Sequence, residues 1–78
     1  MALISPESTM KIEKYRNTVH EKVQAAYTVF EANDQKYVQI DTYGRIRRKN
    51  PEKISQSLQF DKEAAIFFVD ILRREFDL

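Results

Sequence analysis

The densest chemistry in this sequence of 78 residues is a run of cations, Arg45-Ile-Arg-Arg-Lys-Asn-Pro-Glu-Lys53. In it Arg45, Arg47, Arg48, Lys49 and Lys53 stand against one carboxylate, Glu52. Guanidinium and ammonium groups at this density neutralise phosphates, and the gain grows with each contact. Just upstream, Tyr37 and Tyr43 offer rings on which bases can stack, and cations interleaved with aromatic rings are what single-strand grooves use. Gln39, Ser55, Ser57 and Gln59 add groups able to hydrogen-bond base edges or sugars. The same residues also suit a solvated hairpin loop, with tyrosines covering a sheet and lysines guarding an edge against aggregation.

Other chemistry has less to stand on. His20 is the only histidine, and Asp41, Glu21 and Glu31 are the carboxylates that would have to serve it, but no spacing supplies a nucleophile or an orienting partner. Ser55 and Ser57 sit outside any nucleophile-elbow pattern. With no Cys there is no thiol nucleophile and no thiolate site, and scattered carboxylates make no metal-ligand set. The expectation is therefore a non-enzymatic chain with no catalytic residues, no metal and no cofactor. A third kind of site is a protein contact: Ile66, Phe67 and Val69 can form a dimer seam or a partner groove, and an open strand edge can accept a further strand.

These residues must be positioned by regular elements. Lys36 to Tyr43 alternates, with Val38, Ile40 and Thr42 on one side and Tyr37, Gln39, Asp41 and Tyr43 on the other, as a half-buried strand does. Lys53 to Phe60 repeats the pattern, with Ile54, Leu58 and Phe60 opposed to Ser55, Ser57 and Gln59. Val23 to Phe30 is rich in β-branched and aromatic residues and predicts a strand. Between it and the next, Asn33-Asp34 is turn chemistry and predicts a hairpin. Gly44 closes the Lys36 strand where a positive φ is expected, and Asn50-Pro51 breaks any continuation.

Asp61 is placed to cap a helix running to about Phe76. At helical spacing its apolar residues, Ala64, Ala65, Phe67, Phe68, Val69, Ile71, Leu72 and Phe76, cover more than half of the circumference. That exceeds what one small sheet face can bury and predicts a symmetric dimer. Ser5-Pro6-Glu7 reads as a helix start. Residues 10 to 22 fit two patterns, since Met10 and Ile12 suit a strand while Ile12, Tyr15, Val19 and Val23 suit a helix.

Composition bounds these readings. A chain of this length is one domain, near the size at which a single core gives only about 3 to 5 kcal/mol. Net charge is +1, so nucleic-acid affinity would have to come from a local patch. The longest apolar run, Ala64 to Val69, is far short of a membrane span. The acids Asp61, Glu63, Asp70, Glu75 and Asp77 spoil an amphipathic membrane helix. The start, Met-Ala-Leu-Ile-Ser-Pro-Glu, is unlike a signal peptide, so a soluble cytoplasmic chain is expected.

Three segments resemble a group of small bacterial proteins of unassigned function, some labelled methionyl-tRNA formyltransferase. They are Tyr37-Val-Gln-Ile-Asp-Thr-Tyr-Gly44, then Lys53-Ile-Ser-Gln-Ser-Leu-Gln-Phe-Asp61 with Arg48 and Pro51 before it, and Phe68-Val-Asp-Ile-Leu-Arg-Arg-Glu-Phe76. The resemblance covers the C-terminal half and implies no activity; a chain this short has no room for a folate site. It departs at Glu52, where that group often has Gly, so the turn is expected to differ. The order of strands followed by one long helix is similar in architecture to Pur-type and Whirly-type single-strand binders and to single-strand-binding transcriptional coactivators.

The sequence thus predicts an α+β domain over residues 1–78: an N-terminal segment to 22, a small antiparallel sheet of three or four strands within 23–60, and a helix over 61–76 packing that sheet. Core positions are expected at Val38, Ile40, Ile54, Leu58, Phe68, Leu72 and Phe76. The expected function is binding of single-stranded DNA or RNA through Arg45, Arg47, Arg48, Lys49, Lys53, Tyr37, Tyr43 and Gln39, by a homodimer joined at Ile66, Phe67 and Val69. The alternative is a small regulatory module acting on a larger protein partner.

Overall fold

The computed structural model describes residues 1–44 and 53–78. Strands β1 (Ala2–Leu3), β2 (Ala25–Ala32), β3 (Gln35–Tyr43) and β4 (Ile54–Phe60) form one sheet in the order β1-β4-β3-β2, and helix α1 (Lys62–Phe76) follows β4 directly. The fold is α+β. The sheet is mostly antiparallel, with β1 running parallel to β4.

The expected hairpin is set by its turn. Asn33 (φ 51°) and Asp34 (φ 60°) both take the left-handed conformation, which a two-residue connection needs if its twist is to match that of the strands. The turn locks Ala32 opposite Gln35 and carries the register without a break to Ala25 opposite Thr42. Val29 and Tyr27 therefore join Val38 and Ile40 on one side of the sheet, while Phe30 and Thr28 join Tyr37 and Gln39 on the other. Between β3 and β4 the pairs Val38–Phe60 and Ile40–Leu58 extend the first side, and Gln39–Gln59 and Asp41–Ser57 extend the second.

The register then slips. Thr42 pairs with Gln56 but Tyr43 pairs with Ile54, so β4 contributes one extra residue, Ser55, to the ladder. Ile54 is thereby brought opposite Tyr43 and leaves the side occupied by Leu58 and Phe60. Gly44, at the end of β3, does not have the positive φ expected of it.

Asp61 caps α1 as expected: its carboxylate accepts from the Ala64 N–H at 2.9 Å. At the other end Asp77 turns left-handed (φ 56°), and the Leu78 N–H donates to the Arg73 carbonyl. Phe68 meets Phe60 edge to face, with centroids 5.4 Å apart. The principal contacts of α1 are with β4 and with the 3-10 turn at Pro6–Ser8. Ser5 precedes that turn without a side-chain cap; its carbonyl accepts instead from the Ser8 N–H and the Thr9 hydroxyl. Residues 10 to 22, which fit both strand and helix patterns, adopt neither and lie exposed.

Because α1 meets the sheet at β4 rather than lying across it, the apolar side of the sheet has little of a second layer. Val38 and Phe68 are half-buried, but the other expected core positions, Ile40, Ile54, Leu58, Leu72 and Phe76, remain exposed. Among the described residues Ala64 alone is a fully enclosed apolar side chain.

Two substitutions test this account by urea unfolding. Asp34→Gly relieves the left-handed strain on a residue with a Cβ and is expected to raise stability by about 0.5–1 kcal/mol. Asp61→Ala removes the cap and is expected to lower it by about 1 kcal/mol.

Candidate functional site

The side of the sheet carrying Tyr37, Gln39, Asp41 and Tyr43 holds most of the described candidate residues. At one end, Phe30 and Tyr37 stack across β2 and β3, with ring centroids 5.4 Å apart and planes within 19° of each other. The Tyr37 hydroxyl reaches back to the Gln35 amide oxygen at 3.4 Å. Tyr43 follows on the same side six residues along β3, which is about 20 Å of strand. Its main-chain N–H donates to the Gln24 carbonyl at 2.9 Å, which ties the far end of β3 to the chain entering β2. Lys53 is exposed just before β4. Arg45, Arg47, Arg48 and Lys49 lie outside the described residues.

Phe30 was not singled out among the candidates, although it belongs to this face. The signal was present: Phe30 and Tyr37 each lie three positions from the Asn33-Asp34 turn, so a two-residue connection must place them opposite each other. Periodicity within each strand gives the two sides of that strand; only the turn says which residues meet across the gap.

Between the aromatic ends runs a hydrogen-bonded ladder. The Gln59 amide donates to the Gln39 amide oxygen at 2.8 Å, the Gln39 amide donates to the Asp41 carboxylate at 2.9 Å, and the Ser57 hydroxyl donates to the same carboxylate oxygen at 2.5 Å. Asp41 and Ser57 are buried and Gln39 and Gln59 half-buried. Three of the four donors considered as readers of base edges, Gln39, Ser57 and Gln59, are thus tied into one ladder across β3 and β4, and Ser55 lies outside it. Ser57, the one hydroxyl in this ladder, is only 5% exposed.

The remaining candidates are dispersed. His20 and Glu21 sit in the exposed segment before β2, and Glu31 faces Lys36 across the hairpin. No group of three or more His, Cys, Asp or Glu side chains is arranged to hold a metal among the described residues. Nor is any helix among them long and apolar enough to cross a membrane. Ile66 and Val69 are exposed on α1, whereas Phe67 points elsewhere, meeting Phe68 edge to face at 5.5 Å. With Ile71, Arg74 and Glu75 it lines a groove of about 490 Å³ whose other wall is Thr9, Met10 and Lys11.

Hydrogen bonds from Ser57 first, and from Gln39 second, hold the Asp41 carboxyl below the ordinary Asp value of 3.8, against the opposing effect of burial. A carboxyl whose pKa falls on folding stabilises the folded state above its unfolded pKa, and that stability is lost as pH drops through the folded value. Acid sensitivity below about pH 4 is therefore expected. Asp41→Asn should flatten this part of the stability curve, and Ser57→Ala should bring the Asp41 pKa back up; carboxyl carbon shifts followed by NMR measure the latter directly.

No protein-family model, no curated protein and no solved structure matches this chain, so its function is read from its own residues.

Proposed function

We propose that this protein is a non-enzymatic module that binds single-stranded nucleic acid along the Tyr37–Tyr43 side of its sheet. The observation that carries the reading is the Phe30–Tyr37 stack, two near-parallel rings side by side on a half-open sheet face. Aromatic rings on an open sheet are surfaces on which unpaired bases stack, a contact every base can make. The cations come from Arg45, Arg47, Arg48, Lys49 and Lys53, in the connection that follows Tyr43. A strand lying along β3 would run from the stacked pair to Tyr43, after which the cationic run begins in the sequence.

The ladder gives the reading a sharper form. Gln39, Ser57 and Gln59 already have partners, and Asp41 is an ionised carboxylate in the middle of the face, so base-edge readout is disfavoured and phosphates are kept toward the two ends. Binding should then rest on stacking and charge and show little sequence preference.

Fluorescence anisotropy with single-stranded DNA, single-stranded RNA and duplex at two salt concentrations tests this. The expected result is salt-sensitive binding that prefers single strands. Tyr37→Ala should weaken it by about 1–3 kcal/mol. Neutralising Arg47, Arg48 and Lys49 together should reduce the logarithmic salt slope by about 2. Unchanged affinity in the triple variant would remove the basic connection from the site. No binding at low salt would favour the regulatory, protein-binding alternative, for which the groove between Thr9–Lys11 and α1 is the place to look.

A further inference from the structure

Helix α1 has two apolar sides, and among the described residues only one of them is covered. Ala64, Phe67, Phe68 and Ile71 form the side that meets Phe60 and the N-terminal segment. Roughly opposite, at 100° per residue, Ile66, Val69, Leu72 and Phe76 form a second stripe with Val69 near its centre. Their exposures are 61%, 51%, 45% and 69%. The stripe begins beside Phe68, whose ring rests on Phe60 at the apolar side of the sheet. On that same side Tyr27, Val29, Ile40 and Leu58 are also exposed.

The surface area shows how much is left uncovered. The chain exposes 7653 Å², whereas a compact protein of 9.3 kDa exposes about 5,000 Å². Its radius of gyration is 14.7 Å, against about 11.5 Å for a compact domain of this length. The excess is about 2,700 Å², and a standard interface takes about 800 Å² from each partner. One such interface is smaller than that excess, to which the extended segment before β2 also contributes.

We infer that the Ile66–Val69–Leu72–Phe76 stripe is an interface between two copies of this chain, with the two α1 helices packed antiparallel across a two-fold axis at Val69. A two-fold contact requires one patch to complement itself, and this stripe does so from Ile66 to Leu72: Val69 meets its own copy and Ile66 meets Leu72 of the other chain, while Phe76 falls opposite Lys62 at the start of the other helix. A net charge of +1 opposes pairing of two copies only weakly.

The absence of cysteine from the chain makes the test direct. Light scattering coupled to gel filtration should give twice 9.3 kDa without nucleic acid, across a wide range of protein concentration. Val69→Cys should oxidise to a disulfide-linked dimer. Ile66→Cys should do so several-fold more slowly, because its own copy is displaced along both helices beyond disulfide reach. Val69→Cys is a mild change, and circular dichroism is the check that it folds. A folded species of 9.3 kDa at every concentration would overturn the proposal and assign the stripe to a different partner. A dimer in which Val69→Cys links no faster than Glu63→Cys would overturn it as well. Neither result depends on whether the sheet binds nucleic acid.

Discussion

Asn33 and Asp34 hold the sheet in register. A two-residue connection leaves one pairing open to β2 and β3, and a slip by one position would exchange the two sides of β2. Val29 would leave the apolar side, and Phe30 would leave Tyr37. Both turn residues carry a Cβ in a backbone region that glycine occupies more easily. Asn and Asp tolerate it because their short polar side chains hydrogen-bond locally. The stacked aromatic pair is therefore a consequence of the turn, formed where the strand pairing delivers two rings together.

The second fixed pairing, β3 with β4, is written differently. Here the ladder Gln59–Gln39–Asp41–Ser57 crosses the two strands on one side while Val38–Phe60 and Ile40–Leu58 cross on the other. Buried polar groups that find partners only in one register specify that register more sharply than apolar pairs, which tolerate sliding. The ladder also limits how far polarity can be read as recognition: a row of Gln and Ser on a sheet face looks like a reader of ligands until its own partners are counted.

Much of the fold was legible because local signals were strong. Period-two alternation placed β3 and β4 to within a residue, the Asn-Asp pair gave the hairpin, and Asp61 marked the helix start. The rest depended on contacts that periodicity does not carry. The two residues of β1 are too few to show a pattern, and the extra residue at Ser55 changes the side on which Ile54 lies without any local mark in the sequence. The expected core failed for a related reason: Ile40, Leu58, Leu72 and Phe76 do occupy apolar sides, but a pattern shows which side is apolar and not whether anything covers it. Of the site, Tyr37 and Tyr43 were legible as a shared face, and Phe30 required the turn and the strands to be read together.

Strand β1 carries a consequence for the order in which the structure is completed. Ala2 pairs with Leu58, so the parallel contact joins positions 56 residues apart in the sequence, and the Ile4 N–H extends it to the Gln59 carbonyl at 2.9 Å. Closing so long a loop is entropically unfavourable and brings only a short ladder in return. The β2–β3 hairpin, by contrast, closes over two residues. Local pairing should run ahead of distant pairing, with β4 joining the hairpin and β1 docking last against an edge already built. Until it does, the outer edge of β4 presents unpaired N–H and C=O groups to other chains, which makes this brief N-terminal strand a late-arriving guard against misassembly.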